Sequence, residues 1–311
     1  MQFAAKKSLG QNFLKSEKAL KAMVLAVNVS PVDTVLEIGP GQGALTEYLL
    51  ATGATIVAVE KDDNLFVFLQ EKFAEEIREN KLFLIHGDIL EFGEEKKKKE
   101  IVSLLSSPRR RGSSSSDIND LDSRLHGNDT GEKEGAKVFN EKLKKGKYKI
   151  AANIPYYITG QIIRQFLTSN NQPSEMALLV QKEVAERIVA KDGKESLLSL
   201  GVKTYGTPKK EMVVPRGAFV PAPNVDSAII SIKNISRDFF TKNNINEDQF
   251  WNILHLAFAH KRKTLSNNLR GVIDQKIWQN FLQIEKLSPS IRAEEMTLEE
   301  WGSLLKEISN I

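Results

Sequence analysis

The chain has 311 residues, no cysteine and a net charge of +4, a length that suggests roughly two domains. The missing cysteines exclude disulfides and thiolate-held metals, and no apolar run is long enough for a membrane helix. The opening Met1-Gln-Phe-Ala-Ala-Lys-Lys7 lacks the apolar centre of a signal peptide, so a cytoplasmic protein is expected.

The charge is unevenly spread. Residues 1–30 hold five Lys and one Glu, residues 31–93 four basic and twelve acidic groups, and residues 203–270 eleven basic and five acidic. A polyanion would be repelled by the acidic body and held by the basic segments on either side, which points to a nucleic-acid partner. The four histidines, His86, His126, His255 and His260, form no close pair with acidic neighbours, so no catalytic metal is expected.

Residues 6–14 make a basic, glycine-containing arm. Ser16 is placed to cap a helix to about residue 27, with Ala19, Leu20, Met23, Val24 and Val27 on one apolar face. A first strand over 35–38 runs into Gly39-Pro40-Gly41-Gln42-Gly43-Ala44, and a helix follows over 45–50. Glycines between a strand and a helix let a ligand approach the backbone, which makes Gly39 and Gly41 candidate cofactor contacts. By spacing alone the loop also fits a dinucleotide site.

A second strand over 55–59 ends at Glu60, 21 positions after Gly39, where a carboxylate can accept both ribose hydroxyls. Leu65, Phe66, Leu69 and Phe73 follow as a helical stripe and read as core. A third strand over 82–85 leads to Gly87-Asp88, and Asp88 can accept the amine of an adenine. No Lys or Arg lies in the glycine loop to hold a pyrophosphate. The acidic body also suits a cationic sulfonium better than an anionic dinucleotide, so S-adenosylmethionine is the expected cofactor.

Residues 94–146 break this rhythm with a Lys-rich run, Arg109-Arg-Arg111, four serines and a polar tract. They read as a disordered surface insertion, with at most a helical turn over 101–105. A fourth strand over 148–152 then ends in Asn153-Ile154-Pro155-Tyr156-Tyr157. Pro155 cannot continue a ladder, so the chain turns, and strand ends are where ligands sit in open α/β folds. The Asn153 carbonyl and a backbone carbonyl of Ile154 or Pro155 can accept the hydrogens of an exocyclic amine, and Tyr156 can stack on its base. By itself the stretch also fits an ordinary strand-to-helix turn.

Helices are expected over 158–167, 181–190 and 196–205, and strands over 175–180, 211–214 and 227–232. Phe219, in the Pro-rich loop 219–226, is a candidate second stacking surface; a buried loop anchor is the equal alternative. From about residue 236 only helices are expected, over 250–259, 264–269, 276–284 and 298–308. Between the first two lies Lys261-Arg262-Lys263, suited to gripping a phosphate backbone.

Taken together, these stretches resemble the ribosomal RNA adenine dimethyltransferases that modify small-subunit rRNA. The likeness rests on Leu9-Gly-Gln-Asn-Phe-Leu14, Leu36-Glu-Ile-Gly-Pro-Gly-Gln-Gly43, Glu60, Gly87-Asp88, Asn153-Ile-Pro-Tyr156, the segment from Phe219 to Ser227 and that from Lys261 to Leu269. It spans nearly the whole chain apart from 94–146. It implies a Rossmann-like α/β methyltransferase domain over 1–235 and a small all-helical, rRNA-binding domain over 236–311. Cofactor contacts are implied for Asn12, Leu14, Gly39, Glu60, Asp88 and Asn153. The implied reaction places two methyl groups on N6 of each of two adjacent adenosines near the 3′ end of small-subunit rRNA, within a pre-ribosomal particle and by a monomer. The 94–146 segment departs from the pattern, and Ser266 stands where relatives often carry a basic residue. Rival readings are a large-subunit rRNA adenine N6-methyltransferase, a non-catalytic ribosome-assembly factor and a nicotinamide-dependent dehydrogenase; Asn153 and Tyr156 speak against the last.

Overall fold

Strands covered on both faces read as continuous apolar runs, and the first half of the chain supplies several. The computed structural model describes residues 6, 9–92, 129–190 and 193–309. In chain order the first elements are β1 (Phe13–Leu14), α1 (Glu17–Ala26), β2 (Thr34–Ile38), α2 (Ala44–Leu50), β3 (Thr55–Glu60), α3 (Asp63–Lys72), α4 (Ala74–Arg78) and β4 (Leu82–His86). Next come α5 (Asp129–Lys142), β5 (Tyr148–Asn153), α6 (Thr159–Thr168), β6 (Glu175–Gln181), α7 (Lys182–Ile188), α8 (Leu197–Lys203), β7 (Thr207–Val214), β8 (Phe219–Val220) and β9 (Ser227–Lys233). The chain closes with α9 (Asp238–Asn243), α10 (Glu247–Ala257), α11 (Leu265–Asn268), α12 (Gln275–Glu285) and α13 (Leu298–Ser309).

Seven strands form one sheet in the order β4-β3-β2-β5-β6-β9-β7. The first five run parallel, and β9 runs antiparallel to both its neighbours, β6 and β7. Side chains alternate between faces along each strand. Val35, Ile56 and Ala151 therefore pack with α1, α2 and α3, while Leu36, Val57 and Ile150 pack with α5, α6 and α8. The arrangement is an open, mostly parallel α/β sheet of the kind the resemblance implies.

Two local findings differ from the expectation. The last part of the expected disordered insertion is ordered: α5 crosses from β4 back to β5 and buries Phe139 and Leu143. Its polar composition hides a single apolar face of Val138, Phe139 and Leu143, and a parallel crossover needs such an element. Residues 93–128, with the turn expected over 101–105, lie outside the described residues. Strand β7 also begins at Thr207 instead of 211, with an irregularity between Lys210 and Met212 that its composition does not announce.

No strand follows Lys233 among the described residues. The apolar core nevertheless continues into the C-terminal helices, because Phe240, Phe250 and Trp301 belong to the same buried cluster as Leu36 and Ile150. Arg237 fastens the junction. Its guanidinium donates to Glu247 at 2.8 Å and to the Thr168 and Ser169 carbonyls at the end of α6, at 2.9 and 3.1 Å. Among the described residues no helix is long and apolar enough to cross a membrane.

Candidate active site

The C-terminal ends of four adjacent parallel strands open onto one cavity of about 230 Å³. Strand β2 delivers Gly39 and Gly41, β3 Glu60, β4 Gly87 and Asp88, and β5 Asn153 and the turn after it. With neighbouring strands spaced about 4.8 Å, the β3 and β5 ends stand roughly 10 Å apart, the reach of a nucleoside. The arm forms the remaining wall with Asn12 and Leu14.

The glycine loop has the backbone its composition demands. Gly39 and Gly41 take φ of +64° and +61°, in the left-handed region that side chains disfavour. A Cβ at Gly39 would meet nothing within 4 Å, so open space lies against that backbone; at Gly41 it would press on the Phe13 ring at 3.3 Å.

Carboxylates set the electrostatics. Glu60 is 5 % exposed and accepts from the Gly41 and Asp62 amides at 3.0 and 2.9 Å; burial, the largest influence, still raises its pKa. Glu37 lies deeper, 1 % exposed, accepting from the Thr46 hydroxyl at 2.7 Å. Burial pushes its carboxyl up from 4.5 to about 8, against the Thr46 bond and helped by repulsion from Glu60. Asp88 accepts from the Leu90 amide at 2.9 Å and pairs with Lys61 at 2.7 Å. Desolvated carboxylates at a cavity stabilise a cation placed beside them. Both the ribose-type acceptor and the negative field therefore fit S-adenosylmethionine.

At the rim, Asn153 donates from Nδ2 to the Asn12 carbonyl at 3.1 Å. That bond orients the amide and leaves Oδ1 an acceptor with no donor among the described residues. The Pro155 carbonyl accepts from the Ile158 amide at 3.2 Å, whereas no described hydrogen bond uses the Ile154 carbonyl. Of the two backbone acceptors considered from sequence, Ile154 is the one left open. Tyr156 lines the cavity, anchored by a 2.7 Å bond between its hydroxyl and Ser227 Oγ.

The arm is pinned across the mouth. Lys6 and Gln11 meet Asp62 at 2.9 and 3.1 Å, and Asp62 also caps α3 through the Asn64 and Leu65 amides. Strand β1 pairs with β8, setting Leu14 opposite Phe219.

That pairing corrects one expectation. Phe219 is 3 % exposed, packed in the core beside Leu14 and Met23, and is not part of the cavity wall. It is the buried anchor and not a stacking surface, because its strand zips onto the arm. Two further wall residues escaped the sequence reading. Glu37 was signalled by a carboxylate inside an apolar strand; Tyr157, 66 % exposed and against Gly10, carried no separate signal from Tyr156. Lys261, Arg262 and Lys263 are exposed in the turn after α10 and border other recesses.

Comparison with known proteins now decides the relationship. Residues 2–310 match the family described as ribosomal RNA adenine dimethylase. The chain belongs to that family. It is 37 % identical over 305 residues to the ribosomal RNA small subunit methyltransferase A of Dehalococcoides mccartyi strain CBDB1, covering 97 % of this chain and 88 % of that one. Among solved structures, a dimethyladenosine transferase from Plasmodium falciparum superposes with a TM-score of 0.66 at 22 % identity, over 96 % of this chain and 98 % of the other. The 23S rRNA methyltransferase ErmE gives 0.65 at 17 % identity, over 96 % and 100 %. Similar scores for those two proteins mean that the fold does not select the ribosomal subunit. The family methyltransferase reaction and its S-adenosylmethionine donor accord with the acidic cavity.

Proposed function

We propose that this chain transfers methyl groups to N6 of two adjacent adenosines near the 3′ end of small-subunit rRNA. The observation that carries the reading is Asn153, its Nδ2 tied to the Asn12 carbonyl and its Oδ1 without a donor among the described residues, on the cavity that Gly39, Glu60 and Asp88 share. S-adenosylmethionine supplies an electrophilic methyl on a positively charged sulfur. Leu14, Gly39, Gly41, Glu60 and Asp88 would hold it, with Glu60 to accept from the ribose and Asp88 from the adenine amine.

The N6 lone pair of adenine is delocalised into the ring, which makes the amine a weak nucleophile. Asn153 Oδ1 and the Ile154 carbonyl accept its two hydrogens and draw the nitrogen toward tetrahedral geometry. The lone pair is then directed at the methyl; positioning of this kind lowers the barrier without a general base. The proton released from N6 passes to solvent. Tyr156 holds the unstacked base, and stacking of about 1–3 kcal/mol offsets much of the unstacking cost.

In this reading residues 1–235 carry the chemistry, while residues 236–311 grip rRNA, with Lys261, Arg262 and Lys263 on phosphates. The substrate is a pre-ribosomal small-subunit particle, met by a monomer in the cytoplasm. Small and large subunits from cells lacking the protein, each incubated with it and methyl donor, test the reading. Mass spectrometry is expected to find two neighbouring dimethyladenosines in the small-subunit rRNA. Methylation confined to large-subunit rRNA, or none in either, overturns it.

A further inference from the structure

A second cavity, of about 480 Å³, lies between helices α6 and α8 and the C-terminal helices, and methyl transfer makes no use of it. Helix α6 forms one wall. It leaves the catalytic turn at Thr159 and presents Gly160, Ile163, Arg164 and Leu167 to the cavity, the spacing of a single helix face. At about 1.5 Å per residue, Arg164 stands about 8 Å along the axis from Thr159. Trp251 of α10 faces it from the other side.

The Arg164 guanidinium lies 5.2 Å from the centre of the Trp251 ring. It is half-buried, yet no hydrogen-bond acceptor or carboxylate meets it among the described residues. Desolvation holds its pKa below the usual arginine value. Beyond the Trp251 ring it has no anion or acceptor beside it among the described residues; a desolvated cation in that state is unfavourable, and an anion entering the cavity would relieve it. Four more cations border the same space, Arg187, Lys261, Lys263 and Arg292, and none has an ion-pair partner among the described residues. Of the two carboxylates in the wall, Glu195 is already neutralised by Lys203, which leaves Glu294 against five cations. Leu198 and Val202 supply an apolar floor. Two wall residues also hold buried oxygens without a donor, Glu195 Oε2 and Asn268 Oδ1.

A recess with an apolar floor, a guanidinium over an indole ring and cations along its border suits an aromatic base carrying a phosphate. Unstacked bases of RNA are held on aromatic rings and guanidinium planes in this way. We propose that the recess takes up one unstacked nucleotide of the RNA substrate, distinct from the methylated adenosines, with its base against Trp251 and Arg164 and its phosphate on Lys261 and Lys263. The inference rests on the RNA-methyltransferase reading above. Because α6 joins this recess to the Asn153 turn, a nucleotide seated here would register the RNA against the catalytic cavity, making Arg164 a residue of substrate selection.

The test measures methyl transfer to unmethylated small subunits by wild-type protein, Arg164→Met and Arg164→Lys. Melting temperature and affinity for S-adenosylhomocysteine serve as controls of folding. Arg164→Met is expected to raise KM for the subunit roughly tenfold, to leave kcat and S-adenosylhomocysteine affinity little changed, and to make the salt dependence of binding shallower by about one. Arg164→Lys keeps the charge but loses the planar face, so KM rises while the salt dependence stays. Unchanged KM in a folded Arg164→Met variant overturns the proposal, as does wild-type behaviour in Arg164→Lys. A wild-type protein that methylates neither subunit sinks the underlying function instead. Adenosine, guanosine, cytidine and uridine monophosphates, each titrated with S-adenosylhomocysteine saturating, separate the sources. Micromolar binding of one that Arg164→Met abolishes would assign the recess to a free nucleotide and overturn docking of RNA.

Discussion

The two cavities of this chain are built from opposite materials. The cavity at the strand ends is walled by backbone, with Gly39 and Gly41 in left-handed turns and the carboxylates Glu60 and Asp88 around them, while Glu37 below keeps its proton at neutral pH. The recess beyond α6 is walled by helix side chains and bordered by Arg164, Arg187, Lys261, Lys263 and Arg292. The first suits a cationic donor and the second a polyanion. Helix α6 separates them by a few turns at most. Opposite fields at short range allow a positively charged cofactor and a negatively charged substrate to be held side by side without competing for the same groups.

Variants at each cavity should therefore act on different quantities. The largest effect is expected from Asn153→Ala, which removes the positioned acceptor. Methyl transfer should fall by at least about 100-fold, on the scale of losing a preorganised transition-state partner, while rRNA affinity changes little. Single-turnover assays with labelled donor measure this, and a comparable loss of RNA binding would break the division between the cavities. Glu60→Ala comes next. Loss of charge-assisted hydrogen bonds, about 1.5–3 kcal/mol each, should weaken donor binding roughly 10- to 100-fold in calorimetry, with the salt dependence of RNA binding unaltered.

On the basic side, Lys261→Ala combined with Arg262→Ala should make the salt dependence of rRNA binding shallower by about two, one for each lost phosphate contact, and leave kcat intact. Filter binding across a salt series reads it, and a fall in kcat would place these residues nearer the chemistry than proposed. Glu37→Gln should disturb turnover least and show itself in stability. The folded carboxyl titrates near 8 and the unfolded one near 4.5, so between those values the folded state keeps a proton that the unfolded state has lost. Stability then falls as pH rises from about 4.5 to 8 and levels off above. Chemical denaturation at pH 5 and pH 8 should show that slope in the wild type and a flatter one in Glu37→Gln.

Legibility in the sequence differs between the same two regions. Gly39, Glu60, Asp88 and Asn153 can each be read where an apolar run stops, because a parallel strand covered on both faces must be apolar and its C-terminal end must face the ligand side. Phe219 could not be assigned this way. Its burial depends on β8 pairing with β1, roughly two hundred positions earlier, and a Pro-rich loop carries no mark of its partner. Helix α5 was hidden for a different reason: charged and glycine residues dominate its composition, and only Val138, Phe139 and Leu143 disclose the face that closes over the sheet.

Local chemistry alone therefore determined the strand ends, the glycine loop, the amide beside the proline turn and the basic run after α10. These depend on backbone dihedrals and on the alternation of side chains within a few residues. Tertiary packing alone decided that the Ile154 carbonyl meets no donor among the described residues while that of Pro155 is taken, that Asn12 orients Asn153, and that Arg164 and Trp251 meet. Each of those results is set by where one segment lands upon another, and the free energy of such contacts depends on neighbours that no short stretch of chain contains.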